Sequence, residues 1–418
     1  MIARNRDTQV LVASTLINTG GDGLYIAGSA LFFTKGLGLP VAQVGLGLTC
    51  AGLLGLTAGI PIGRLADRHS PRDILILIQL VQAAAIGSYV LVGRSLPAFI
   101  AVATVVIAGM QGADAAKGAL AGQIGRGDPV TLRALMQSVS NIGISAGTVC
   151  AGFLIAGGTH FDYQLLMLAD AGSFLGAAVL LVALPHVSAD GPAASGWRGR
   201  RWIALRDRPY LALTTANCVM SLQYFVLAFA MPLWVIGHTS APRWLISPML
   251  LTNTVLIVVL QVRFSRGTKR PEGAGRSARR AGAVLAVAMI LYAAAGGRAQ
   301  TAAIALLIAA VLAHSVGELL QSSGSFGISY GLAAPDALGE YLGVYGLGMG
   351  ICRAVAPAVL AFTCLQQGAG GWIALAVVFA MSGLATPALV RWAGRRAADT
   401  EPEVERAAEG DLGLASSC

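Results

Sequence analysis

Twelve long apolar runs, separated by short polar stretches, leave this chain few ways to fold. A helix of about 20 residues spans a hydrocarbon core, and in lipid only helices and closed barrels can satisfy the backbone hydrogen bonds internally. The runs lie at about 9 to 33, 41 to 62, 74 to 92, 97 to 119, 133 to 156, 164 to 185, 211 to 236, 244 to 263, 282 to 297, 301 to 322, 341 to 365 and 371 to 390. The ninth is short and the tenth has a polar end. Over 418 residues, 56% are hydrophobic and 12% charged, with a mean hydropathy of +0.70. That composition excludes an ordinary soluble domain. The expected fold is an all-α membrane protein with twelve transmembrane helices.

The formal charge of +9 does not point to nucleic acid, because no basic cluster sits on a folded polar surface. It follows the membrane instead. With both termini placed inside, only Lys35, Arg94, Arg243 and Arg298 fall in outer loops, and only Lys117 and Arg353 fall inside spans, Arg133 and Arg263 standing at the inner ends of theirs. The other Lys and Arg residues lie on the inner side, as the positive-inside rule requires. Arg4 and Arg6 precede a first run too long for a signal peptide, so it is read as part of the mature chain. Cys50, Cys150, Cys218, Cys352, Cys364 and Cys418 show neither disulfide nor zinc spacing.

The longest polar loop, His186 to Pro209, divides the runs into six plus six. The predicted organisation is a six-helix bundle over 1–185, a cytoplasmic linker over 186–210, a second bundle over 211–391 and a disordered cytoplasmic tail over 392–418. The halves echo each other. Asn18 and Asp22 in span one correspond to Asn217 and Ser221 in span seven, and the basic loop Arg266 to Arg280 corresponds to Gly63 to Asp73. Such symmetry is typical of duplicated transporter folds.

The loop Gly63 to Asp73 reads GRLADRHSPRD and resembles the signature loop of the major facilitator superfamily. Gly63, Asp67 and Arg68 match the pattern, Ser70 and Pro71 depart from it, and Arg72 resumes its basic character. In span five, Gly143, Gly147 and Gly152 lie within NIGISAGTVCAG. This resembles the glycine-rich signature of drug:proton antiporters, with Thr148 where a proline is usual; the glycines read equally as a helix-packing face. Gly317 to Gly350 is similar to the region joining spans ten and eleven in bacterial efflux members. The resemblance implies the major facilitator fold, two pseudo-symmetric six-helix bundles alternating around a shared pocket. It also implies export of a hydrophobic or amphipathic small molecule, such as a drug, antibiotic or secondary metabolite, by proton antiport. Proton-coupled import of a small metabolite is the alternative.

Ionisable side chains inside a span cost about 2.5–3.5 kcal/mol on insertion scales and so mark function. Asp22 stands near the middle of span one among glycines and could exchange a proton or fix helix packing. His314, Glu318 and Gln321 share one face of span ten, where an imidazole beside a carboxylate suits proton exchange or stapling of helices. Asp114 and Lys117 are expected to neutralise each other at the inner end of span four, with Lys117 also pairing with Asp67 as a gate. Arg353 is a further gate or an anion contact, and Asp170 is given a structural role. The expected cavity draws on spans one, four, seven and ten. Beside the proton candidates, Asn18, Tyr25, Met110, Gln111, Asn217, Met220, Gln223, Tyr224, Phe225 and Gln321 should line it. Aromatic and Met surface with a few acids suits an amphipathic or cationic organic molecule.

The chain has no H-E-x-x-H, no G-x-S-x-G at a helix start and no G-x-x-x-x-G-K-[ST], so enzymatic hydrolysis and ATP-driven transport are not expected. Neither a cofactor nor a metal is expected. The expected partners are a small-molecule substrate, protons and the lipid bilayer, with no nucleic acid, and the chain is expected to be a monomer. Arg outnumbers Lys and Ala and Gly abound, pointing to a bacterial cytoplasmic (inner) membrane as its location.

Overall fold

The computed structural model describes residues 5–125, 128–155, 159–185 and 202–415. Most of the expected linker, 186–201, lies outside them. The described residues form helices joined by tight turns, with no strand. The first long helix is Arg6–Leu31. The others, spans two to twelve, are Gln43–Arg68, Pro71–Val92, Leu96–Ile124, Pro129–Ile155, Phe161–Val182, Arg208–His238, Arg243–Thr268, Pro271–Ala295, Gln300–Gly331, Leu338–Gln366 and Ala369–Arg395. These eleven are each long and apolar enough to cross a membrane. In the first helix, Asn18 to Asp22 dilute the apolar run.

Helix starts follow local chemistry. Asp207 accepts the backbone N–H of Tyr210 at 3.1 Å, and Thr159 and Asp162 close a capping box before span six. Pro71, Pro209 and Pro271 occupy first-turn positions, where a missing N–H costs nothing. Spans nine and ten are longer than their apolar runs. Span nine begins at Pro271 and takes in most of the expected loop Arg266 to Arg280, because a helix continues past the hydrocarbon as long as its own hydrogen bonds are met. The last helix likewise runs Ala369–Ala415, where a span ending near 390 and a disordered tail were expected. Ala, Glu and Arg, which favour helix, are frequent there.

The packing repeats from half to half. Span one packs on five and six as seven packs on eleven and twelve; three packs on four and six as nine packs on ten and twelve; two packs on four as eight packs on ten. Spans two with eleven, and five with eight, join the halves. Small residues make these contacts close. A Cβ on Gly147 would collide with the Gly20 carbonyl, one on Gly282 with the Phe379 carbonyl, and one on Gly63 with the Gly339 carbonyl. Gly143 also faces span one, at Thr19 and Leu16, but Gly152 meets nothing within 4 Å. Five residues beyond Gly147, at about 100° per residue, it has turned off the contact face.

Candidate functional site

A cavity of about 360 Å³ lies where the two halves meet. Gln111 and Asp114 come from span four, Asn217, Tyr224 and Phe225 from span seven, Gln321 from span ten and Arg353 from span eleven. The expectation of spans one, four, seven and ten is corrected in two ways. Span one contributes no lining residue among those described, and span eleven supplies a long wall including Tyr345, Met349 and Arg353. Spans two and five also contribute, through Gly59, Arg133 and Gln137. Arg133 was missed because the apolar run was started at it. Span five in fact begins at Pro129, which carries Arg133 a turn inside, its guanidinium 6.0 Å from the Phe326 ring centroid.

The remaining candidates lie off the cavity. Met220 and Gln223 are buried in the second half, and Met110 and Tyr25 pack against the aromatic cluster Phe33, Tyr89 and Phe99 of the first. Asn18, also buried, accepts hydrogen bonds from Lys117 Nζ at 2.8 Å and Gln79 Nε2 at 3.3 Å. Lys117 therefore neither neutralises Asp114 nor reaches Asp67. Asp114 is exposed to the cavity instead. The arrangement recurs in the second half, where Asn217 accepts from Gln321 Nε2 at 2.9 Å, and Tyr224 donates to Gln321 Oε1 at 3.2 Å.

His314 and Glu318 do not form a pair. His314 Nε2 bonds Gln223 Oε1 at 2.9 Å, while Glu318 Oε2 accepts from Asn253 of span eight at 2.9 Å. The two side chains start from one face of span ten, but partners on neighbouring helices draw them apart. Asp22 is half-buried, and the charges acting on it come from Lys117, Asp114, and Arg353 of the opposite half. Asp170, fully buried, lies against span one beside Gly21. Among the described residues, no three His, Cys, Asp or Glu side chains gather as metal ligands.

Toward the end bearing Gly63 to Asp73, here the loop end, the cavity gives way to direct contacts between the halves. Asp67 accepts the backbone N–H groups of Gly339 at 2.6 Å and Glu340 at 2.8 Å, the first turn of span eleven. There a carboxylate satisfies orphan donors and meets the positive end of the helix dipole. Arg64 pairs with Glu340 at 3.2 Å, Tyr330 donates to the Gly118 carbonyl at 2.9 Å, and Lys269 pairs with Asp128 at 2.5 Å. Partial burial pushes the Asp128 carboxyl upward, but hydrogen bonds from Lys269 and Thr131 outweigh it and hold the group below its usual range. Arg72 caps the other helix end, donating to the Leu181 and Val182 carbonyls at 3.0 and 2.7 Å, and Arg68 is exposed.

The family model described as Major Facilitator Superfamily matches residues 11–357. No curated protein matches the sequence at a significant level. Among solved structures, the human organic anion transporter MFSD10 (TETRAN) is 17% identical with a TM-score of 0.64, covering 92% of this chain and 99% of its own. A bacterial homologue of the iron transporter ferroportin, outward-facing, is 15% identical with a TM-score of 0.69, covering 94% and 100%. The E. coli fucose:proton symporter FucP is 13% identical with a TM-score of 0.69, covering 92% and 98%. At these identities the likeness concerns the fold alone.

Proposed function

The chain belongs to the Major Facilitator Superfamily, and from that premise we propose that it exports an amphipathic small molecule in exchange for protons, by alternating access between its halves. The observation that carries this reading is the cavity at the boundary of the halves, walled by aromatic, amide and charged side chains from both, and followed at the loop end by contacts that hold the halves together. Breaking those contacts while closing the opposite end would expose the same cavity to the other side. Asp22, with Asp114 at the cavity wall, supplies negative charge that a proton cancels. A cationic or strongly polarised cargo then competes with the proton, which is the condition for antiport. Glu318, held by Asn253, is the second proton carrier in this reading. The basic loop end faces the cytoplasm of a bacterial cell, with both termini there.

One observation favours a second reading. Arg133 and Arg353 also line the cavity, and an organic anion held by them would bind together with a proton on Asp22, giving symport and import. Chains of similar fold include both an organic anion transporter and a fucose:proton symporter, so cargo and direction rest on the site.

A susceptibility panel in an efflux-deficient host identifies candidate cargo, and radiolabelled uptake into inside-out vesicles under an imposed pH gradient then gives direction. Export by antiport is expected to concentrate the compound inside such vesicles when their lumen is acidic. The Asp22→Asn, Glu318→Gln double variant should keep exchange of labelled for unlabelled compound while losing gradient-driven accumulation. Full accumulation in that variant would remove both acids from the coupling.

A further inference from the structure

The geometry points to a binding site for an anionic phospholipid in the groove between spans nine and twelve at the loop end, with Arg276, Arg279 and Arg391 holding the headgroup phosphate. These two helices run antiparallel in close contact. A Cβ on Gly275 would stand 3.3 Å from Val390 Cγ2 and 3.4 Å from Pro387 Cα, and Gly282 lies against Phe379 and Gly383. That register places Arg276 of span nine and Arg391 of span twelve at similar depths.

Their facing follows from helical periodicity of about 100° per residue. Span nine turns Gly275, Ala278 and Gly282 toward span twelve, and Ala274 and Ser277 toward Gly324 and Gly327 of span ten. Arg276, Arg279 and Arg280 fall on the remaining face, and all three are exposed. Span twelve turns Pro387 and Val390 toward span nine, while Ser382 bonds the Ala216 carbonyl of span seven at 3.1 Å. Arg391 and Arg395 fall on its remaining face, also exposed. Arg279 and Arg391 thus flank the same groove from its two sides, on the surface turned away from the bundle.

The occupant follows from what surrounds the arginines. None of the five has an ion-pair partner among the described residues, and the acid on this face of span nine is Glu272, one turn nearer the helix start. Deeper along the same two faces the exposed side chains become apolar: Val287 and Ile290 on span nine, Met381 and Leu384 on span twelve. Exposed Trp392 stands beside Arg391, at the level where Trp favours the membrane interface. A free phosphate would use the arginines and leave the apolar stripe uncovered. A phospholipid uses both, and uncompensated arginines select an anionic headgroup over a zwitterionic one.

The test uses the full-length purified protein in detergent and counts bound lipid by native mass spectrometry. The probes are dioleoyl phosphatidylglycerol, dioleoyl phosphatidylcholine and inorganic phosphate. Phosphatidylglycerol should bind about a hundredfold more tightly than phosphatidylcholine, with about fivefold of that preference lost for each of the three arginines removed. The R276Q/R279Q/R391Q variant should lose the preference, R276K/R279K/R391K should keep it, and R243Q/R298Q, at the opposite end, should leave it unchanged. Equal binding of the two lipids to the native protein would overturn the site. So would a preference surviving in R276Q/R279Q/R391Q, or displacement of the lipid by millimolar inorganic phosphate. If the glutamine variant does not fold, the single variants R276Q and R391Q carry the test, each expected to reduce the preference severalfold; no reduction in either overturns the site.

Discussion

Asp67 reaches out of the first half and accepts the backbone N–H of Gly339, near the start of span eleven in the second half, at 2.6 Å. Its other oxygen takes the next N–H, that of Glu340. One side chain thereby caps a helix belonging to the opposite bundle, and Gly63 allows the approach because any Cβ there would strike the Gly339 carbonyl.

Asp67→Ala and Gly63→Ala should each open the loop end. Loss of the charged cap is expected to cost the closed arrangement about 1–2 kcal/mol, or about five- to thirtyfold in population. Spin labels at exposed Arg68 and Arg270, read by pulsed electron resonance, should show a growing long-distance population. An unchanged distance distribution in both variants would show that this cap does not hold the halves together.

Asp128 and Lys269 form a second link at the same end, and its pH dependence has a definite sign. The Asp128 carboxyl is held below its usual range when the link is formed, so the pair favours the closed arrangement above the unlinked carboxyl value of about 4. That contribution is lost only as pH falls through the lowered value. The contribution of this pair should therefore be flat from pH 5 to 8, and a double-mutant cycle with Asp128→Asn and Lys269→Met should give a coupling of only about 0.2–1 kcal/mol, because Lys269 is half exposed. A coupling that changes between pH 6 and 8 would contradict the assignment.

Asn18 with Lys117 and Asn217 with Gln321 are matching links in the two halves, one charged and one neutral. Thermal denaturation of Asn18→Leu, Lys117→Met and the double variant should give a coupling of about 1.5–3 kcal/mol, against about 0.5–1.5 kcal/mol for Asn217→Leu with Gln321→Met. Equal or inverted couplings would mean that the ammonium contributes little beyond an ordinary donor.

Gly147 and Gly152 separate a packing role from a mere resemblance. Gly147→Ala places a methyl against the Gly20 carbonyl and should destabilise by about 1–3 kcal/mol. Gly152→Ala meets open space and should be neutral or slightly stabilising, since Ala favours helix by about 1 kcal/mol over Gly. Similar melting shifts for the two would show that the contact relaxes at no cost.

Much of the architecture was legible before any coordinates. Hydropathy is summed along the chain, so the existence of most spans and the six-plus-six division follow from local composition and need no knowledge of neighbours. The symmetry of Asn18 and Asn217 was visible for the same reason, as a pattern in one dimension. Helix ends were read less well. The apolar run of span nine starts only at Gly282, but the helix starts at Pro271, because hydrogen bonding within a helix does not end where the hydrocarbon does.

Partners belong to the other class. His314 and Glu318 are four residues apart and share a face, which is all that spacing can say. Gln223 on span seven and Asn253 on span eight then take them in different directions. Lys117 could meet Asp114, Asp67 or Asn18 by charge and reach, and only the packing of span four against span one selects Asn18. The chain's own order of apolar and polar residues therefore determined that it crosses a membrane many times in two related halves. Which charged groups face the cavity and which are buried among neighbouring helices was decided by how those helices pack, since that choice depends on residues far apart in sequence meeting at distances of a few ångströms.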